Sequence, residues 1–276
     1  MSRKIHVGRK VGYSLLFIVA VINLYPFFFS VISSLKSNTE IFKSFTSLPT
    51  SLKWSNYYNA ITEGHIFRYF LNTILLCSAT IAVCGLVGSM ASYILDRFIF
   101  RVRKGVYLFF IAGMMIPIQA VIIPMAYLFS KLHINNNYPV LILMYSAFSI
   151  PMTVLVLTGF IHAIPKELEE AAVIDGSSIW QLFFRVIFPV MKPGIISVSI
   201  FTFIQVWNNL LFPLIFISNS SMGTISTGLL NYFGERSNDY GSALAAITLT
   251  IIPVIIIYLL MQNKIEEGFI AGALKG

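Results

Sequence analysis

The sequence predicts an all-α, polytopic membrane protein with six transmembrane helices. Three observations lead there. Of 276 residues, 57% are hydrophobic and only 11% charged, where a soluble domain carries about 25% charged residues. The mean hydropathy is +0.81. Lys, Arg, Asp and Glu are missing from six apolar runs, 11–33, 70–95, 106–130, 138–161, 194–218 and 242–261, each about as long as the roughly 20 residues that one helical crossing needs. What remains is too short for a separate soluble domain, so one domain, 1–276, is expected. Its segments outside the membrane are an outer loop at 34–69, a cytoplasmic loop at about 162–192 and a second outer loop at 219–241.

The first run is too long for a signal-peptide core and no small-residue cleavage site follows it, so it reads as a retained anchor. Orientation follows from the basic residues. Segments 1–10, 96–104, 162–192 and 262–276 carry thirteen of the nineteen Lys and Arg, which puts these segments and both termini in the cytoplasm. The net charge of +8 is therefore topological. It lies beside spans and not on an aromatic-interleaved face, so nucleic acid is not an expected partner.

Several chemistries lack their residues. Cys77 and Cys84 lie seven apart on one stripe of the second span and read as small apolar residues; with no His nearby they make no metal site. His6, His65, His133 and His162 are scattered through the sequence with no triad or ligand spacing, so no catalytic residue is expected. No Walker A loop occurs, so the chain is not an ATPase. The spans hold no acidic or basic side chain, whereas ion-coupled carriers place such groups near the midplane. An ion-driven or uncoupled carrier and a membrane enzyme are the alternative classes, and transport without any nucleotide-binding partner would favour the carrier.

The loop 162–192 is the most structured polar stretch. Pro165 suits a first helical position, and Glu167, Glu169 and Glu170 load the first turn with the charge a helix N-terminus favours. A short helix is expected up to Asp175. Gly176 can adopt the left-handed conformation that closes a helix, and Ser178 with Gln181 forms a capping box for a second one. That second helix carries an aromatic face over Ile179, Trp180, Phe183, Phe184, Ile187 and Phe188, Pro189 ends or bends it, and Pro193 opens the next span. Taken alone, this helix-Gly-helix hairpin is either a juxtamembrane elbow or a surface gripped by another protein.

The run from Ile164 to Pro193, with Glu170-Ala171-Ala172-Val173-Ile174-Asp175-Gly176 and then Pro189, resembles the signature loop of binding-protein-dependent ABC importer permeases. Asn72-Thr73, Tyr93 with Asp96-Arg97-Phe98, Met115-Ile116-Pro117 with Pro124, Trp207-Asn208-Asn209 with Phe212-Pro213-Leu214, and the tail Ala271-Gly272-Ala273-Leu274-Lys275-Gly276 resemble the carbohydrate subgroup. The likeness covers nearly the whole chain and is nearest the smaller, six-span permease subunit of maltose-type and multiple-sugar-type importers.

That resemblance implies the type I ABC importer permease fold in a bacterial cytoplasmic membrane, surrounded by lipid. It implies half of a translocation pathway for a sugar, a di- or oligosaccharide, the other half being a sister permease in a heterodimer. Two ATPase subunits would carry ATP and Mg, this chain binding no cofactor itself, and an extracytoplasmic sugar-binding protein would deliver substrate. Glu170, Ala171, Ala172, Asp175, Gly176 and Pro189 would couple to the ATPase, which Ala271, Gly272 and Lys275 of the tail would also contact. Asn209 departs from the acidic residue that often follows Trp-Asn in this subgroup. Gln119, Tyr145, Gln205, Trp207, Asn208 and Asn209 are the candidate pathway residues, with two readings open: neutral donors and aromatic faces for sugar, or hydrogen bonds between helices.

Overall fold

A computed structural model of the chain describes residues 2–232 and 239–273. Among the described residues all regular structure is helical, as lipid requires of a chain whose backbone groups must be satisfied within each span. The chain divides into two compact units, residues 1–67 with 228–253, and 68–227 with 254–276.

The first unit contains α1 (Ser2–Ser33), α2 (Asn38–Lys43), α3 (Ser55–Thr62) and the start of α14 (Tyr240–Ala273). From Tyr13 to Phe28 every residue of α1 is exposed, and so broad an apolar surface is stable only against lipid or another chain. The connection after it, expected as an interfacial cap, is ordered by hydrogen bonds. Asn56 donates to the carbonyls of Ser34 and Lys36 at 2.7 and 2.9 Å, and Asn38 accepts from the Gly241 N–H at 3.0 Å. Gly241 is needed because a Cβ there would lie 2.5 Å from the Asn56 amide. Ser37 and Glu40 close a capping box on α2. Hydrogen bonds from Thr50 and then Ser37 lower the Glu40 pKa to about 2, so this carboxylate stays ionised far into acid.

The second unit is organised around α7 (Tyr138–Ala163), which packs against α5 (Arg103–Gly113) and α11 (Lys192–Trp207) and meets α4 (Ile66–Arg97) through side chains. In lipid no hydrophobic force drives apolar helices together, so close approach of small residues and interhelical hydrogen bonds must do so. Gly88 on α4 faces Thr153, Gly194 on α11 faces Phe160, and Gly113 on α5 faces Pro151. Ser92 donates to the Val154 carbonyl at 3.4 Å, and Ser149 to the Gln205 side-chain oxygen at 3.0 Å. Both cysteines are buried thiols, Cys84 directed at the Ser146 carbonyl at 3.9 Å.

Four helices are individually long and apolar enough to cross a membrane, and two bent pairs bring the number to six. The third predicted run is not a straight span. Its halves, α5 and α6 (Ile118–Lys131), meet at 90°. The residue before a proline is driven out of the helical region, and Pro117 itself is extended, with φ −71° and ψ 125°. Pro124, by contrast, lies within α6. The fifth run also breaks. α11 ends at Trp207 and α12 (Leu211–Phe216) begins after three intervening residues, because the Asn209 side chain takes the Phe212 N–H at 2.9 Å in place of a continuing backbone bond.

Part of the segment predicted as the second outer loop, 219–241, is ordered. The 3-10 turn Ser220–Met222 precedes α13 (Ile225–Leu230). Asn72 donates to the Ser221 and Gly223 carbonyls at 3.0 and 2.8 Å, Thr73 accepts from the Ile225 N–H at 3.0 Å, and Tyr138 donates to the Met222 carbonyl at 3.0 Å. Residues 233–238 of that predicted loop lie outside the described residues.

A Cβ on Gly88 would sit 2.3 Å from Thr153 Cγ2. Gly88→Leu is therefore expected to cost about 1–3 kcal/mol by overpacking and to lower the melting temperature in detergent, while Gly12→Leu, where an added Cβ meets nothing, leaves it unchanged.

Candidate functional site

The predicted helix-Gly-helix hairpin is present. α8 (Glu167–Ile174) begins one residue after Lys166, so Pro165 precedes its cap instead of occupying the first turn. Gly176 adopts φ +81°, the left-handed conformation that ends a helix. Its N–H and that of Ser177 then return to the Val173 and Ala172 carbonyls, each at 3.0 Å. Ser178 and Gln181 form the capping box of α9 (Ile179–Gln181). A π turn over Leu182–Ile187 follows, then α10 (Phe188–Val190). Pro189 has no N–H and its ring crowds the carbonyl four residues back, and a π turn is one way a helix absorbs such a mismatch. Beyond Pro189 the chain bends by 71° into α11.

The hairpin is fastened to the end of α4 by one buried cation. Arg97, whose side chain is 7% exposed, donates through Nε to Glu169 Oε1 and through Nη2 to the Ile164 carbonyl at 2.7 Å. Through Nη1 it reaches Asp96 Oδ2 at 2.8 Å. Tyr93, one turn earlier on α4, donates to the second Glu169 oxygen at 3.1 Å. Asp96 in turn faces His162 Nδ1 at 3.1 Å and Arg103 at 3.9 Å. Both oxygens of Glu169 are thus occupied, and the arginine joins α4, the end of α7 and α8 at one point.

An apolar core underlies this clasp. Ala172 packs with Leu157, Ile161, Phe183 and Ile187, so it faces its own chain and leaves Ala171 as the small residue on the outer side. Glu170, Ala171, Ile174, Asp175 and Gly176 are exposed together, Ile174 at 85%. α8 therefore has two faces: Glu169 and Ala172 hold it inward, and Glu170 and Ile174 are presented outward. Sequence reasoning singled out Glu170 and overlooked Glu169. The available signal was Arg97, a lone basic residue closing an apolar helix, which needs a nearby acid if its side chain is buried. Of the tail residues, Ala271 and Gly272 lie in the last turn of the α14 backbone, and Lys275 lies outside the described residues.

The six candidate pathway residues are not gathered into one site. Gln119 and Asn208 are exposed. Gln205 accepts from Ser149 and so ties α11 to α7, and Asn209 caps α12. Trp207 is buried, stacked on Phe203 with ring centres 5.1 Å apart. Tyr145 is buried beside Phe212 at 5.2 Å, and its hydroxyl makes no hydrogen bond among the described residues.

Removing either side of the clasp leaves a charge enclosed. Arg97→Gln is expected to destabilise by about 3 kcal/mol, within the range for breaking a buried pair. Glu169→Gln costs less, because the side chain keeps 14% exposure and its amide oxygen can still accept from Tyr93. Melting in detergent and proteolytic cleavage between Ile164 and Gly176 measure both effects.

Comparison with known proteins places this architecture. The family described as binding-protein-dependent transport system inner membrane component matches residues 85–270, which include the whole hairpin. The chain is 33% identical over 267 residues to the diacetylchitobiose uptake system permease protein of Streptomyces coelicolor, covering 96% of this chain and 88% of that one. It is 32% identical over 268 residues to the multiple sugar-binding transport system permease protein of Streptococcus mutans, covering 95% and 96%. Its fold matches a chain of the bacterial ABC transporter that imports the polysaccharide alginate, with a TM-score of 0.82 at 21% identity over 95% of this chain and 98% of that chain. Six apolar segments, an ordered acidic hairpin between two of them and these matches together show that the chain belongs to the inner membrane components of binding-protein-dependent transport systems.

Proposed function

We propose that the chain is a non-catalytic permease subunit of an ATP-driven importer for a di- or oligosaccharide, resident in a bacterial cytoplasmic membrane with both termini and the α8 hairpin in the cytoplasm. Residues 1–276 serve as a single permease domain forming one wall of the pathway. A sister permease supplies the other wall, two ATPase subunits carry ATP and Mg, and an extracytoplasmic binding protein delivers the sugar. Relatives that are permeases for diacetylchitobiose and for multiple sugars support the substrate class. The basic residues of 96–104 and 162–192 support the orientation.

The observation that carries the coupling role is the two-faced α8. Its outer face offers Glu170, Ala171, Asp175 and Gly176 to the ATPase, and its inner face is clasped to α4 through Glu169 and Arg97. A push on the outer face then reaches a membrane span through a charge-assisted contact and a backbone carbonyl, with no loop left slack between them. Glu170 would meet a basic group on the ATPase. Pro189 and the 71° bend behind it pass the same displacement to α11. The tail residues Ala271, Gly272 and Lys275 would reach the same partner. In the pathway Gln119 and Asn208 are the exposed hydrogen-bonding candidates, while Gln205, Asn209, Tyr145 and Trp207 shape the wall behind them.

Glu170→Lys reverses charge at the docking face without touching the clasp. In the purified complex it is expected to leave the melting temperature within about 0.5 kcal/mol equivalent of the parent and to lower substrate-stimulated ATP hydrolysis about tenfold or more. Unchanged stimulation rejects the coupling role of Glu170. Asn208→Ala is expected to lower sugar uptake with the complex still assembled, and normal uptake removes Asn208 from the pathway. Recovery of this chain without a second permease and an ATPase, under mild detergent that preserves other membrane complexes, counts against the importer reading itself.

A further inference from the structure

Beside the clasp, a cavity of about 490 Å³ opens between the end of α4, the segment after it and α9, lined by Met90, Ile94, Ile99, Phe100, Trp180 and Phe183 among others. Its walls are almost wholly apolar. No described residue fills it, and Ile99 and Trp180 stand 94% and 60% exposed at its edge. A second cavity of about 390 Å³ shares Phe100 as a wall and is otherwise bounded by Arg101, Arg103, Lys104 and Tyr107 with parts of α4 and α7. Arg103 approaches Asp96 at 3.9 Å, while Arg101 and Lys104 form no ion pair among the described residues. Apolar space and uncompensated positive charge thus adjoin across one phenylalanine, at the boundary where α4 leaves its apolar run.

We propose that these adjacent cavities bind one anionic phospholipid, its phosphate held by Arg101 and Lys104 and an acyl chain lying in the groove between Ile94, Ile99 and Trp180. The charge complementarity selects the ligand. An apolar segment of protein would fill the groove but leave the basic rim unmatched, and a free anion would match the rim but leave the groove empty. Basic pockets at the ends of membrane helices take anionic head groups for the same electrostatic reason, and an exposed tryptophan at that depth suits the polar boundary of the bilayer. A lipid seated here would touch both α4 and α9, so anionic lipid would brace the hairpin beside the clasp.

The test uses the full-length chain in zwitterionic nanodiscs, titrated with phosphatidylglycerol carrying dibrominated acyl chains, or with phosphatidylcholine brominated alike. Bromine quenches tryptophan on contact, and the part of the signal that disappears in W180F reports the groove. Phosphatidylglycerol is expected to quench Trp180 at a mole fraction at least about tenfold lower than phosphatidylcholine. R101Q/K104Q is expected to erase that preference, and the charge-preserving R101K/K104R to keep it. Equal quenching by the two lipids, or a preference that survives R101Q/K104Q, overturns the site. Loss of quenching when the chain is assembled with its co-purifying partners also overturns it, because the groove then belongs to a protein. None of these readings depends on ATP hydrolysis, so the lipid site and the coupling role of Glu170 stand or fall separately.

Discussion

A buried arginine at the end of a membrane helix must have its charge answered close by, and Arg97 is answered from three directions: Glu169 on α8, Asp96 on its own helix and the carbonyl of Ile164. Removing a guanidinium from water is costly unless its donors are filled. The arrangement that fills them also fixes where α8 lies. The inward position of Ala172, the outward position of Glu170 and the apolar core beneath them all follow from that one set of contacts. An isolated eight-residue helix is marginal in water, and here tertiary contacts at the hairpin's base hold it in place.

The remainder of the second unit obeys a different constraint. Inside lipid, apolar side chains gain little by meeting each other, so the helices are held where small residues let backbones approach and hydroxyls find carbonyls. That is why α7 buries Ser149, whose hydroxyl donates to Gln205 on α11, and Thr153, whose methyl faces Gly88 on α4, and leaves Leu143 exposed. It is also why so many large apolar residues face outward without weakening the fold. The breaks within the third and fifth runs fit the same rule. Irregular backbone at membrane depth is tolerated where it lies against protein or a polar cavity, and these two breaks fall at residues, Pro117 and Asn209, that withdraw or divert a backbone donor.

The hairpin was the part of the candidate site most legible beforehand, because its signals are local. A glycine able to take positive φ, a Ser and Gln three apart and three acids in a first turn each act within a few residues, and the structure forms the turn and the capping box they predict. Glu169 was not legible. Adjacent glutamates look alike in sequence, and only the pitch of α8 against α4 turns one toward Arg97 and the other outward. The pathway candidates were hard to read for a related cause: Gln205 and Trp207 are two residues apart on α11, yet one bonds to α7 and the other stacks on Phe203.

By itself the sequence determined the class of protein, the number of apolar segments, the positions of the loops and the hairpin's internal design. Composition and short-range capping depend on residues near one another in the chain. Only the tertiary structure decided which runs are straight and which bend, which glutamate clasps α4 and which is free to meet a partner, and that the basic loop after α4 adjoins an apolar groove. Each of those depends on residues tens of positions apart meeting at a particular helix rotation, and charge and hydropathy along the chain do not encode that rotation.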